Sequence, residues 1–197
     1  MKSRCKAVFV THVHKDHMLG LIDMVDLASW YYKNMSFDIY MPEQRGIDAI
    51  ENYCEILLQR KTSDEISYTV FEEGVIFDDA NVKVNAIHTE HMDATTNIAY
   101  VFLIEAEGKH IYITGDMHRT LKDFPKELLT VPTDVVITEC AHFPAEDLMG
   151  KLKGICANQV MVIHVYPTKQ YDVLETCKSK TSFELIFPKD GNKYEIE

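Results

Sequence analysis

Residues 11–17 read Thr11-His12-Val13-His14-Lys15-Asp16-His17. Three histidines and a carboxylate within six residues follow a β-branched and aromatic run at residues 6–11, which predicts a short strand. Side chains in extended backbone repeat every two residues, so His12 and His14 project to the same side and can share one ion. From residue 18 the apolar positions Leu21, Met24, Val25, Ala28, Tyr31 and Tyr32 recur at helical spacing. They predict a helix over 18–33 that ends near Asn34. The turn into that helix can carry Asp16 and His17 to a neighbouring position, where they serve a second ion. Neutral imidazole and carboxylate suit a borderline divalent cation, zinc first, with manganese and iron also accepted.

The other candidate ligands share one address, the end of an apolar strand. Residues 82–87 lead into His88-Thr89-Glu90-His91, residues 109–114 into Gly115-Asp116, and residues 159–163 into His164. Ligands at the ends of several strands converge on one edge of a sheet, where open α/β sheets place their sites. Thr138-Glu139-Cys140-Ala141-His142 follows another apolar strand, residues 133–138, and reaches for the same edge. There His142 can act as an acid toward a departing alkoxide, with Glu139 orienting it. His110 and His118 are expected to face solvent.

The rest of the chain supplies scaffold. Residues 37–41 read as a strand and 43–60 as an amphipathic helix with Ile47, Ile50, Tyr53, Cys54 and Leu57 on one side. Residues 98–106 and 109–114 are joined by Glu107-Gly108 as a hairpin, part of a meander that begins at 82–87. Helices are expected at 145–153 and 168–178, and a final strand pair at 183–187 and 193–196 across Asp190-Gly191. Alternating strands and helices predict an α/β layered fold.

With 197 residues, 46% apolar and 26% charged, and no repeat, linker or compositional break, the chain is expected to form one domain, residues 1–197. The longest apolar run, residues 98–104, is too short to cross a bilayer, for which about 20 residues are needed. The first residues lack the pattern of a secretory signal, so the expected address is cytoplasmic. Thirty-one acidic against twenty basic residues give a net charge of −11, which repels a long polyanion, and neither nucleic acid nor membrane is expected as a partner. Five cysteines, none in a C-x-x-C pair, predict buried free thiols.

His12-Val13-His14-Lys15-Asp16-His17 stands where the metallo-β-lactamase superfamily has its H-x-H-x-D-H signature. His88-Thr89-Glu90-His91, Thr114-Gly115-Asp116 and His164 resemble its later motifs in order. The resemblance implies an αββα sandwich and a dinuclear centre. It gives His12, His14 and His91 to one ion, Asp16, His17 and His164 to the second, and makes Asp116 the bridge. His91 is taken over His88, although many relatives have H-T-x-x-H where this chain has H-T-x-H. Relatives also carry strands ahead of the first motif, which here begins close to Met1. The expectation is a shortened form, or a sheet completed by a partner such as a second copy of the chain.

Two ions about 3.5 to 4 Å apart share a hydroxide at neutral pH, the expected nucleophile. Asp16, Asp116, Glu139 and His142 are therefore the expected catalytic groups, and no protein nucleophile is needed. The motifs look most like the branch of tRNA 3′-processing endonucleases and small phosphodiesterases. The acidic total favours a small anionic phosphodiester over RNA. The alternatives are a thioester or lactone hydrolase of the glyoxalase II type and a non-hydrolytic metal-sensing or redox protein.

Overall fold

The computed structural model describes residues 5–32, 35–91, 98–166, 168 and 170–196. The chain divides into two compact units, Met1–Glu72 and Glu73–Glu197.

In the first unit, β1 (Ala7–Phe9), β2 (Phe37–Met41) and β3 (Ile66–Val70) form a parallel sheet in that order. Parallel neighbours need a crossover, and α1 (Lys15–Trp30) and α2 (Gln44–Leu57) provide the two. Strand β2 buries alternate residues Phe37, Ile39 and Met41. Against them pack Met18, Leu21, Val25 and Ala28 of α1, with Ile47, Ile50 and Cys54 of α2, as one core.

Helix α1 starts three residues earlier than its apolar repeat predicts. His14 is extended (φ −69°, ψ 153°) and serves as N-cap, and Asp16 sits in the first turn, where its charge complements the helix dipole. Asp16 and His17 are thus helical residues rather than parts of a preceding turn. The helix ends at Trp30, and the expected end at Asn34 lies outside the described residues. Tyr31 and Tyr32 are exposed beyond the last turn, not on the buried face. Helix α2 stops at Leu57, also exposed, because Gln59 takes a left-handed φ of 53° and turns the chain away.

The second unit is a mixed sheet of seven strands among the described residues, in the order β10-β9-β8-β7-β6-β5-β4. They are β4 (Gly74–Asp78), β5 (Val82–His88), β6 (Tyr100–Ala106), β7 (Lys109–Ile113), β8 (Thr133–Cys140), β9 (Ala157–Val165) and β10 (Glu184–Ile186). The run from β4 to β7 is antiparallel and that from β7 to β10 parallel. Glu107 and Gly108 close the β6–β7 hairpin at φ 52° and 76°, the left-handed pair that a two-residue turn requires. Helices α3 (Ala145–Leu152) and α4 (Gln170–Cys177) make the crossovers around β9. Leu148, Leu152, Val160, Val162 and Leu174 are central to this unit's core.

Strand β6 is antiparallel to both β5 and β7, so β5, β7, β8 and β9 all run the same way and end at one edge of the sheet. The convergence expected of the strand-end motifs is present within this unit.

Three expectations need correction. Strands β3 and β4 stand where none was predicted. Their alternation is weak, with only Ile66 buried in β3 and no buried residue in β4. Residues 193–196 form no strand: β10 pairs in parallel with β9 instead, leaving the Asp190-Gly191 turn without a return partner. The five cysteines are free, but only Cys54 and Cys140 are buried, and Cys156 is exposed.

One close approach ties the first unit's packing to its histidine segment. A Cβ on Gly46 of α2 would lie 2.8 Å from Val13 Cγ1 and 2.7 Å from Met41 Sδ. Val13 stands between His12 and His14, so only glycine lets α2 sit this close. We expect Gly46→Val to destabilise the protein by about 2 kcal/mol. In a thermal melt that is a loss of roughly 4–8 °C for a chain of this length. An unchanged or raised midpoint would mean that the contact is slack.

Candidate metal centre

In the first unit the imidazoles of His12, His14 and His17 gather where β1 gives way to α1. His12 is buried, 1% exposed, and its Nε2 lies 3.0 Å from His14 Nδ1. The ring centroids of His12 and His17 are 4.1 Å apart, and Thr11 Oγ1 lies 3.1 Å from His12 Nδ1. Asp16 is more than half exposed, with Oδ2 3.7 Å from His17 Nε2. The His12–His14 nitrogen spacing is near the roughly 3.3 Å that two imidazoles adopt on one tetrahedral ion with bonds of about 2.0–2.1 Å.

The second unit's cluster is built around Asp116. Thr114 continues β7 by donating its N–H to Ile137 O, and Gly115 then takes φ 57°, a left-handed turn that brings Asp116 over the sheet edge. The Asp116 side chain is 2% exposed. Its two oxygens face different imidazoles: Oδ1 lies 3.1 Å from His164 Nδ1, and Oδ2 lies 3.7 Å from Nε2 of both His91 and His142.

The protons on these rings can be assigned. His91 Nδ1 is 2.9 Å from Met117 O, which can only accept, so Nδ1 carries the hydrogen. His142 Nδ1 is 2.9 Å from Glu139 Oε2 and 3.0 Å from Oε1, and likewise donates. When neutral, both rings therefore present an Nε2 lone pair to a carboxylate oxygen. Acceptor facing acceptor calls for a positive charge between them, either a proton on Nε2 or a cation. This donor set fits a divalent ion, with Met117 O and Glu139 fixing the rings from behind.

His164 reaches Asp116 through a bulge. In the β8–β9 ladder Glu139 pairs with Ile163 and Cys140 with Val165, so His164 is the extra residue, at a left-handed φ of 46°. A non-glycine residue in this region is strained, and the strain here coincides with the aim of a candidate ligand. Periodicity places His164 at a strand end; nothing in the sequence marks the bulge.

Glu139, 1% exposed, is the second buried carboxylate. Oε1 accepts the Met117 N–H at 2.7 Å, and Oε2 accepts the N–H groups of Ala141 at 2.9 Å and His142 at 3.2 Å, besides the His142 ring. It joins the Asp116 loop to the His142 loop, a wider role than orienting His142 alone. His88, by contrast, is exposed at the end of β5 and lies edge-on to Tyr100 at 5.7 Å. His110 is exposed, whereas His118 is half-buried, with its N–H held by Asp123. Burial raises the Cys140 thiol to about 12, which removes it as a nucleophile at neutral pH.

Within this unit the ligand atoms of Asp116, Glu139, His142 and His164 all lie within 4.8 Å of one another. Beside His142 opens a cleft of about 480 Å³, lined by Phe143, Pro144, Glu146, Tyr166 and Gln170 among others.

The family model of the beta-lactamase superfamily domain matches residues 2–180. The chain belongs to that superfamily. Its fold is that of the metallo-β-lactamase proteins: YhfI from Bacillus subtilis superposes with a TM-score of 0.70 at 15% identity, covering 95% of this chain and 76% of that one. Unliganded yeast PDE1 gives 0.62 at 15% identity over 91% and 65% of the two chains. Ribonuclease Z of Shouchella clausii (strain KSM-K16) is 30% identical over 104 residues, 53% of this chain and 31% of that enzyme. That of Geobacillus kaustophilus (strain HTA426) is 28% identical over 88 residues, 45% and 28%. The chain thus matches less than a third of the length of these curated relatives. The superfamily is one of metallo-hydrolases, and this member carries side-chain clusters able to hold metal. No helix among the described residues is long and apolar enough to cross a membrane.

The Glu139 network yields a stability prediction. Glu139→Ala strands buried N–H donors and is expected to cost about 3 kcal/mol. Glu139→Gln, which keeps one oxygen, should cost less. Urea unfolding checks the order; equal midpoints for wild type and Glu139→Ala would remove the network from the account.

Proposed function

We propose that the chain is a dinuclear metal-dependent phosphodiesterase acting on a small anionic phosphodiester. The observation that carries this reading is Asp116, whose two buried oxygens face different histidines, as a bridge between two ions must. In it His12, His14 and His91 hold one ion, and Asp16, His17 and His164 the other. Phosphodiester chemistry is supported by the ribonuclease Z relatives. A small substrate is supported by the net charge of −11 and by a cleft sized for a compact ligand. Zinc is the proposed ion, for its fit to imidazole and carboxylate. The five free cysteines are consistent with a reducing, cytoplasmic setting.

Bound ions supply Lewis acidity toward the phosphoryl oxygen and a nucleophile at neutral pH. The protein's own groups do the rest. Asp116, held over the sheet edge by the Gly115 turn, fixes the spacing of the two ligand sets. His142 as imidazolium holds a proton on Nε2 for the departing alkoxide and, having given it up, remains the Nδ1–H tautomer on Glu139.

The test is metal content together with hydrolysis of bis-p-nitrophenyl phosphate, before and after chelation. About two ions per chain and metal-dependent turnover are expected. Asp116→Ala should lose turnover by at least about a hundredfold along with bound metal, and full activity with two ions would sink the bridge. His91→Ala should lose metal while His88→Ala and His142→Ala retain it; equal retention by the first two would overturn the choice of His91. Two ions with turnover only of thioesters or lactones would replace the substrate class.

A further inference from the structure

The loop that carries His142 is held from two sides. Glu139 takes the N–H groups of Ala141 and His142, while the carbonyls flanking the same loop are taken by one side chain from a distant helix. Gln170, the first residue of α4, donates from Nε2 to Cys140 O at 3.0 Å, Phe143 O at 3.2 Å and Tyr166 O at 2.9 Å. Its Oε1 accepts the Ala145 N–H at 2.6 Å. One amide thereby brackets residues 140–145, on both sides of His142, and pins them to the segment that follows His164. Two hydrogens serve three carbonyls, so one is shared, and no other neutral side chain offers both an acceptor and two donors in this shape except asparagine, which is shorter.

We propose that Gln170 is a positioning residue: it fixes the His142 ring against Glu139, and with it the tautomer and direction of Nε2. The inference rests on the reading of His142 as the proton donor. It adds a requirement that reading lacks, a brace on the far side of the loop. The Glu146 carboxylate beside His142 cannot supply it, because a carbonyl needs an N–H or O–H donor. Gln170→Glu keeps the length and the acceptor for Ala145 but turns a carboxylate oxygen on three carbonyls. Gln170→Leu removes both functions without adding charge.

Two readouts separate positioning from bulk stability. The first is leaving-group dependence, measured on the metal-loaded protein with the p-nitrophenyl and phenyl esters of thymidine 5′-phosphate. A p-nitrophenolate departs without a proton at neutral pH, whereas phenolate, whose conjugate acid has a pKa of about 10 like tyrosine's, gains from one. Both Gln170 variants should lose about tenfold or more in kcat on the phenyl ester and stay within about twofold on the p-nitrophenyl ester, as a displaced acid would. His142→Ala should likewise lose more on the phenyl ester than on the p-nitrophenyl ester, and His142→Ala with Gln170→Leu should be no worse than His142→Ala alone. Equal losses on both esters, or none, would overturn the proposal.

The second readout needs no turnover. Nitrogen-15 spectra of the His142 ring above its titration range should show the single Nδ1–H tautomer in the wild type and a mixture in both variants. An unchanged tautomer in folded Gln170→Leu would overturn the positioning role. Wild-type protein that binds metal but cleaves neither ester would defeat the phosphodiesterase reading, and the ring spectrum would still decide on Gln170.

Discussion

A carboxylate taken out of water must be met by positive charge or by donors, and Asp116 sets that condition for the second unit. The neighbouring Glu139 shows the ordinary solution, since backbone N–H groups and an Nδ1–H surround it. Asp116 Oδ1 lies 3.1 Å from His164 Nδ1, and its Oδ2 faces two further rings. The rings of His91 and His142 have their Nδ1 hydrogens committed to Met117 O and Glu139, and turn their Nε2 atoms toward Asp116 Oδ2. A cation or proton lying among these atoms stabilises such an arrangement.

Several features of the scaffold serve that placement. The shared direction of β5, β7, β8 and β9 brings four loops to one edge, the left-handed Gly115 delivers Asp116, and the bulge at His164 redirects a ring that regular pairing would aim elsewhere. The Gly46–Val13 approach does comparable work in the first unit, by fixing the backbone between His12 and His14. Strained or tightly constrained residues thus stand beside the candidate ligands, while the bulk of each core is ordinary alternating and helical packing.

The strand-end histidines and Asp116 were legible in the sequence because apolar runs precede them: residues 82–87 lie within β5, 109–114 contain β7, and 133–138 and 159–163 lie within β8 and β9. Strands β3 and β4 escaped because neither buries one face, so no alternation betrays them. The turn at Asp190-Gly191 misled, since a hairpin signal says nothing of whether an open edge is there to receive the returning strand. Helix α1 began early because an extended histidine can precede a helix without a capping side chain. The roles of His164's bulge, of Glu139 as a joint between two loops and of Gln170 as a brace are set by contacts across more than twenty residues of chain, which no local spacing encodes.

The most direct measurement is an anomalous difference map at the zinc edge, from crystals of protein purified without chelator and supplied with zinc. The account predicts two peaks about 3.5–4 Å apart with the Asp116 carboxylate between them. A single peak, or peaks remote from Asp116, would contradict the dinuclear centre on which the functional reading stands.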